Sequence, residues 1–183
     1  STILAYEAGT KNIEAGDTAT MITCIEPYPT AELRSLSQIE LLEKRVQDVD
    51  LSVFTSLQAG DILFIDSTHI LRIGGDVWWI YAEVLPRLNP GVYVHIHDIS
   101  LPKPYPSVYA DNNLYWNEQY VLQVFLTFNN RVEVLWAGNY MLVNHHDRLM
   151  ESFQTEYDHM RAKYPQSEAT SVWLRIRDDD SAE

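Results

Sequence analysis

The fold is decided by D-I-L-F-I-D-S-T-H at residues 61–69 and N-P-G-V-Y-V-H-I-H-D-I at residues 89–99. Each stretch holds a short apolar run, at residues 62–65 and 92–96, that is rich in β-branched and aromatic side chains and is therefore typical of a strand. The intervening residues have a helical apolar stripe that includes Val77, Tyr81 and Val84. Strand, helix and strand in this order predict a β-α-β unit with parallel strands.

Polar residues follow both predicted strands. Asp66 and His69 come after the first strand, and His97 and Asp98 come after the second. Neighbouring parallel strands end at the same edge of a sheet, where open α/β sheets bind ligands, so the four residues are candidates for one site. Strand alternation places His95 and His97 on one face and Asp98 on the other. His97 and Asp98 therefore share a cleft only if the strand ends between them.

Composition limits the classes of protein that the chain can belong to. The 183 residues include 26 Asp and Glu against 13 scattered Lys and Arg, for a net charge of −13, which argues against nucleic acid as the main partner. The one cysteine, Cys24, excludes an internal disulfide and a cysteine-based zinc cluster. No membrane span or signal pattern is visible in the sequence. We therefore expect a single cytoplasmic domain over residues 1–183.

The remaining elements are predicted from apolar periodicity and from capping residues. Strands are expected at residues 19–25, 39–46, 131–137 and 171–176, and helices at residues 1–8, 30–37, 50–58, 114–128 and 141–164. Residues 9–17 are expected to form a loop, because Gly9 and Gly16 read as turn residues, and the acidic tail at residues 178–180 is expected to fray. This alternation of strands and helices predicts the α/β class.

The four polar residues suggest a particular chemistry. Tips of adjacent strands lie about 4.8 Å apart, so their carboxylates can share one cation. Asp66 and Asp98, with His97 as a further ligand, would form a mainly oxygen site that suits Mg²⁺, Mn²⁺ or Ca²⁺. Such a cation lowers the pKa of a bound hydroxyl, and His69 or His97 would take the proton. The alternative is purely structural: strand-end aspartates cap helices, and histidines in a strand pack in the core.

Several further segments carry a resemblance to a known family. They are C-I-E-P-Y-P, E-K-R-V-Q-D-V, D-I-L-F-I-D-S-T-H, G-G-D-V, E-V-L-P-R-L-N-P-G-V-Y-V-H-I-H-D-I and Y-W-N-E-Q-Y. In this order and spacing they resemble class I S-adenosylmethionine-dependent methyltransferases, in particular the small-molecule group with cephalosporin-hydroxylase-like and macrolide-sugar O-methyltransferase relatives. The resemblance covers roughly residues 1–140. It implies a Rossmann-like, mostly parallel sheet with helices on both faces and an antiparallel C-terminal hairpin.

The resemblance also implies roles for individual residues. Glu26 would hold the ribose of S-adenosylmethionine, Gln47 and Asp48 would lie near its adenine, and Asp66 would lie beside its methionine part or a metal. Residues 99–113 and Trp116-Asn117-Glu118 would border the acceptor. Metal-dependent relatives carry an acidic pair after the fifth family strand, where this chain has His97-Asp98.

The resemblance further implies a first strand and a glycine-rich cofactor loop ahead of Ser1. We therefore expect one of three arrangements: the chain is a fragment of a longer product, the second and fourth family strands close the gap, or a second chain fills it, as in a homo-oligomer.

Three functions follow from these residues and from the resemblance. The first is methyl transfer from S-adenosylmethionine to a hydroxyl or similar group of a small molecule, with His69 or His97 as base and Asp66 and Asp98 orienting substrate or metal. The second is a non-catalytic, truncated relative used for assembly. The third is a metal-dependent hydrolase on the same sheet.

Overall fold

The computed structural model describes residues 1–178 and shows a mixed α/β protein, which confirms the predicted class. The chain divides into two compact units, Ser1–Val49 and Asp50–Glu183. The predicted frayed tail lies, from residue 179 onward, outside the described residues. Within the described part of the chain, no helix combines the length and the apolar character that crossing a membrane requires.

The first unit contains two helices and a pair of parallel strands. Its elements are α1 (Thr2–Glu14), β1 (Ile22–Ile25), α2 (Ala31–Ser35), β2 (Ile39–Leu42) and a 3₁₀ turn at Val46–Asp48. β1 and β2 pair in parallel, with Ile22 opposite Ile39. α2 begins where predicted, because the Thr30 hydroxyl accepts a hydrogen bond from the N–H of Leu33 at 3.2 Å.

The predicted loop over residues 9–17 was wrong for its first part, since α1 continues through Gly9 to Glu14. An isolated glycine costs a helix only about 1 kcal/mol, and helix-compatible residues surround it here. Gly9 is buried, and a Cβ at this position would lie 3.6 Å from the Cβ of Thr20. The glycine therefore lies at a packed position of the helix and does not end it.

The second unit is built on a four-stranded sheet. Its elements in chain order are α3 (Ser52–Thr55), β3 (Ile62–Ile65), α4 (Asp76–Trp79, continued by a π-helical turn at Ile80–Val84 and a 3₁₀ turn at Leu85–Arg87), β4 (Tyr93–His97), α5 (Ser107–Asp111), α6 (Glu118–Leu126), β5 (Val132–Ala137), α7 (Gly138–Asn144), α8 (His146–Lys163) and β6 (Ser171–Ile176). The sheet order is β3-β4-β6-β5. β3 and β4 are parallel, and β6 is antiparallel to both β4 and β5. Three strands therefore share one direction, and β6 opposes them.

The crossover from β3 to β4 confirms the predicted β-α-β unit. Val77, Ile80 and Val84 of the α4 segment are buried, as the helical stripe predicts. Asp76 does not cap this helix with its side chain: the N-cap residue is Gly75. The Asp76 carboxylate instead accepts hydrogen bonds from the N–H and the hydroxyl of Thr68, both at 2.7 Å. Asp76 therefore fastens the start of α4 to the segment that follows β3.

The two faces of the sheet differ in character. Val94, Ile96, Val172 and Leu174 are buried on one face, where β4 and β6 pair Val94 with Leu174 and Ile96 with Val172. The opposite face carries aromatic rings and imidazoles, including His95, which pairs with Trp173. The apolar face forms the core, and the carboxyl ends of β3 and β4 form the edge that carries the candidate site.

Candidate functional site

Asp66 and Asp98 emerge at the same edge of the sheet because β3 and β4 are parallel, with Ile65 opposite Ile96. β4 ends at His97, and Asp98 has left-handed backbone geometry with φ 54°. The chain therefore turns between His97 and Asp98, which is the condition under which both can face one cleft. The Asp98 Oδ1 atom lies 3.1 Å from His97 Nδ1 and accepts a hydrogen bond from Thr170 Oγ1 at 3.2 Å.

His69 lies between three carboxylates. Its side chain is buried, with the residue 4% exposed. The Nε2 atom is 3.7 Å from Asp66 Oδ1 and 3.7 Å from Asp98 Oδ2. On the other side of the ring, Nδ1 lies 2.7 Å from Glu118 Oε2. The structure thus brings together the predicted site residues Asp66, His69 and Asp98, and adds Glu118.

Glu118 is a fully buried carboxylate at the start of α6. Besides His69, its Oε2 atom accepts a hydrogen bond from Ser67 Oγ at 2.6 Å, and its Oε1 atom accepts one from the Tyr81 hydroxyl at 3.3 Å. Burying a carboxylate is costly unless its oxygens are hydrogen-bonded, and here both of them are. The expectation that the Glu118 side chain borders an acceptor is wrong, because it faces His69 inside the protein.

The loop that carries His69 is held in a strained conformation. His69 has φ 59°, a left-handed value that costs a residue other than glycine about 1–3 kcal/mol. Its carbonyl accepts hydrogen bonds from the N–H groups of Asn117 at 2.9 Å and Glu118 at 3.1 Å. The Asn117 Oδ1 atom accepts a further bond from the N–H of Leu71 at 2.6 Å, and His69 N–H donates to Ser67 Oγ at 2.9 Å. The beginning of α6 therefore fixes both the backbone and the ring of His69.

The charges of the cluster support one another. Burial lowers the pKa of His69, but the Asp66 and Glu118 carboxylates outweigh burial and raise this pKa to about 9. The facing His69 imidazole lowers the pKa of Asp66. Burial raises the pKa of Asp98, but His97 and His69 outweigh it, so this pKa is lowered. The Asp98 carboxylate raises the pKa of His97. At neutral pH, His69 is a buried imidazolium facing ionised aspartates.

One group of residues in the described part of the chain has the geometry of a metal site. It consists of Asp66, His69 and Asp98, whose ligand atoms lie within 4.8 Å of one another. The predicted ligand His97 is not in this group. Strand alternation directs its ring toward that of His95, 5.9 Å away, whereas the left-handed turn at Asp98 directs the next carboxylate toward His69. His69 thus takes the place that the sequence assigned to His97.

Aromatic residues pack beside His69. The Trp116 ring centroid lies 4.2 Å from that of His69, and Tyr109 and Tyr105 contact Trp116 at 4.8 Å and 5.9 Å. All three are half-buried. The loop after β4 thus supplies an aromatic wall close to the cluster. Its predicted role of bordering an acceptor stays a prediction.

The residues predicted to hold the cofactor lie in the first unit, except for Asp66. Glu26 follows β1, and its Oε1 atom accepts a hydrogen bond from the N–H of Tyr28 at 2.8 Å. Among the described residues, Glu26 Oε2 has no hydrogen-bond partner, so it fits the hydroxyls of a ribose. Asp48 accepts two hydrogen bonds from Arg45, at 2.8 and 3.0 Å, which lower its pKa. Gln47 lies half-buried in the 3₁₀ turn Val46–Asp48.

Comparison with known families settles the broader identity. A family model described as a methyltransferase domain matches residues 4–99, slightly more than half of the 183 residues. The chain belongs to this family of methyltransferase domains. Membership implies methyl transfer, and with it the general use of S-adenosylmethionine, which confirms the broader part of the resemblance. None of the curated proteins matches the chain.

The methyltransferase-domain match contains Asp66, His69 and Asp98 but ends at residue 99, before Glu118. Sequence reasoning placed Glu118 next to an acceptor and missed its contact with His69. The available signal was the segment W-N-E-Q-Y, which puts Glu118 and Gln119 at the start of an apolar helix. Both side chains are fully buried. A charged residue that begins a buried helix face needs a partner, and that requirement could have suggested His69.

Proposed function

We propose that this methyltransferase domain transfers a methyl group from S-adenosylmethionine to a hydroxyl group of a small molecule, with His69 as the base. Family membership supports the methyl transfer. The observation that carries the role of His69 is its buried ring, whose Nε2 atom faces Asp66 and Asp98 at 3.7 Å each. A small hydroxyl compound that enters between these carboxylates comes within reach of Nε2.

The chemistry assigns one task to each group. When bound, S-adenosylmethionine supplies an electrophilic methyl group, and the electron pair of the broken carbon–sulfur bond stays on sulfur. His69 first loses its resting proton to solvent, and its Nε2 atom then takes the proton of the acceptor hydroxyl as the oxygen forms its bond to carbon. Asp66 and Asp98 accept hydrogen bonds from neighbouring hydroxyls of the acceptor and stabilise the imidazolium that forms.

The cofactor contacts are proposed from the first unit. Glu26 would accept hydrogen bonds from the ribose hydroxyls through its Oε2 atom, while Gln47 and Asp48 would lie near the adenine. Asp66 would lie beside the methionine part. The Oε2 atom of Glu26, which has no hydrogen-bond partner among the described residues, supports the role proposed for Glu26. The roles proposed for Gln47, Asp48 and Asp66 rest on the family resemblance.

A second candidate is methyl transfer assisted by a divalent cation. It is favoured by the ligand atoms of Asp66, His69 and Asp98, which lie within 4.8 Å of one another. Carboxylate oxygens suit Mn²⁺ and Mg²⁺, whereas an imidazole suits transition-metal ions, so Mn²⁺ is an ion that this mixed ligand set can hold. His69 Nε2 would then be a ligand and not the base, so the two candidates exclude each other.

Calorimetry and an activity assay test the proposal. We expect S-adenosylmethionine and S-adenosylhomocysteine to bind in the presence of a chelator, and a panel of hydroxyl compounds to yield S-adenosylhomocysteine. His69→Gln should keep the cofactor affinity and lose at least about 10²-fold in turnover. His159→Gln, on the exposed face of α8, is the matched control and should keep both.

Three results would redirect the proposal. If neither cofactor form binds, the non-catalytic alternative is favoured. If Mn²⁺ binds, and turnover requires it, the cation-assisted candidate replaces the base. If Mn²⁺ binds without any cofactor binding, a metal-dependent hydrolase becomes the better interpretation.

A further inference from the structure

We infer that Glu118 is a positioning residue that holds the His69 ring with Nδ1–H toward itself and thereby presents Nε2 to the acceptor. This inference rests on the proposed function of the site. Glu118 Oε2 lies 2.7 Å from His69 Nδ1. An ionised carboxylate only accepts hydrogen bonds, so the shared proton belongs to Nδ1. In the neutral ring Nε2 then carries the lone pair.

The surroundings of Glu118 make the contact directional. Ser67 Oγ donates to the same oxygen as His69, and the Tyr81 hydroxyl donates to the other oxygen. These two donors leave the carboxylate one orientation, in which Oε2 faces His69. Because Glu118 is fully buried, water does not compete for the contact.

A purely structural side chain at this position would not need a charge. The adjacent Gln119 shows the neutral solution, since it is equally buried and spans two backbone groups. Its Oε1 atom accepts from the N–H of Ser100 at 3.0 Å, and its Nε2 atom donates to the carbonyl of Lys103 at 3.2 Å. A buried carboxylate is far more costly than such an amide unless a cation faces it. At Glu118 the facing group is the His69 ring, whose Nδ1 atom lies 2.7 Å from Oε2.

Glu118 contacts His69 through both its side chain and its backbone. The Glu118 side chain binds the ring, and the Glu118 N–H binds the His69 carbonyl at 3.1 Å. A substitution of the side chain leaves the backbone bond in place. The ring can therefore lose its orientation while the left-handed loop conformation persists, and this makes the role of the side chain separable from the fold.

A double-mutant cycle tests the inference. Glu118→Met removes the acceptor, and we expect turnover to fall about 10²-fold with cofactor affinity unchanged. Glu118→Gln keeps an acceptor oxygen without the charge, and we expect a loss of about 10-fold. In the His69→Gln background neither substitution should lower turnover further, because Glu118 acts through His69. The matched control is Gln119→Met, which should destabilise the fold. It should lower turnover by the same factor in the wild-type and His69→Gln backgrounds.

Nuclear magnetic resonance gives a second readout that needs no activity. In the chelator-treated protein, His69 Nδ1–H should give a downfield, slowly exchanging proton resonance, which is assigned by its loss in His69→Gln. The resonance should persist in Glu118→Gln and Gln119→Met and vanish in Glu118→Met. If Glu118→Met does not fold, the Glu118→Gln variant alone carries the cycle.

The two proposals fail in different ways. Absence of cofactor binding removes the methyl-transfer proposal while the Nδ1–H resonance still reports on the Glu118 contact. Persistence of that resonance in Glu118→Met, or an equal further loss of turnover in both backgrounds, overturns the positioning role.

Discussion

The rings of Phe64 and His95 stack in parallel across β3 and β4, with centroids 4.4 Å apart and planes 8° apart. Trp173 meets the same imidazole edge-on at 4.7 Å. His95 is 7% exposed, and neither of its ring nitrogens has a hydrogen-bond partner among the described residues. A buried polar group without a partner costs roughly 1–3 kcal/mol, so His95 is a destabilising residue in the middle of the sheet.

His95→Phe should therefore stabilise the protein. Phenylalanine keeps the stacked ring and removes the two unpaired nitrogens, and we expect the free energy of unfolding to rise by about 1 kcal/mol. Chemical denaturation measures it. His159→Phe, at an exposed position, should leave stability nearly unchanged. A destabilised His95→Phe variant would show that the nitrogens are satisfied in solution.

The same histidine makes the protein sensitive to acid. Burial, together with the nearby His97, lowers the pKa of His95 from 6.5 to about 4. Between these values the unfolded chain binds a proton that the folded protein does not. The contribution of His95 to stability is therefore complete above pH 6.5 and is lost as the pH falls from 6.5 through 4. We expect wild type to lose roughly 2 kcal/mol more than His95→Phe between pH 7 and pH 4, as measured by urea midpoints. Parallel pH profiles of the two proteins would contradict this expectation.

Gly91 precedes β4 at a turn that no other residue fits. It has φ 85°, and a Cβ there would lie 2.5 Å from the Cβ and 2.9 Å from the Cα of Ala59. Gly60 has a similar φ of 95°, but a Cβ there would meet nothing within 4 Å. In both Gly91→Ala and Gly60→Ala, the left-handed backbone conformation costs alanine about 1–2 kcal/mol. Gly91→Ala also overlaps the backbone, so thermal unfolding should show a further loss of about 1–3 kcal/mol. Equal losses would mean that Ala59 moves aside freely.

Patterns that repeat locally were predictable from the sequence. β3 and β6 occur at the predicted residues 62–65 and 171–176, because β-branched and apolar alternation decides strands over such short distances. The position of Asp66 and Asp98 at the same edge of the sheet followed from the parallel β-α-β topology. These features depend on sequence spacing and on the general geometry of sheets.

Features that depend on packing between distant segments were not predictable. His69 and Glu118 are 49 residues apart, and their contact exists only because α6 begins beside the loop after β3. His and Asp adopt left-handed conformations more often than most residues other than glycine, but this preference is too weak to single out His69 and Asp98 from the sequence. The choice of His69 over His97 as the residue between the two aspartates follows from these conformations.

Asn117 connects the start of α6 to the His69 loop. Its Oδ1 atom accepts a 2.6 Å hydrogen bond from the N–H of Leu71. Asn117→Ala should lower the free energy of unfolding by about 1 kcal/mol and speed amide exchange at Leu71, whereas Asn117→Asp keeps the acceptor and should do neither. The control is Asn144→Ala, since Asn144 is exposed and, within residues 1–178, its amide donates only to the Tyr140 carbonyl of its own helix. Unchanged exchange at Leu71 in Asn117→Ala would mean that the loop is held by its backbone bonds alone.

His69 should make the protein sensitive to alkali. Its folded pKa of about 9 lies above the ordinary 6.5, because Asp66 and Glu118 favour the imidazolium more than burial disfavours it. Below pH 6.5 both the folded and the unfolded chain hold the proton, and the stabilisation is complete. As the pH rises from 6.5 through 9, the unfolded chain has already released a proton that the folded protein still binds, so stability falls. We expect a loss on the order of 3 kcal/mol across this range in chelator-treated wild type. His69→Gln should show a much flatter profile, and His159→Gln should follow wild type. If the stability of His69→Gln falls as steeply with pH as that of wild type, the His69 imidazolium does not cause the alkaline dependence. The three carboxylates around it then do not stabilise its charge.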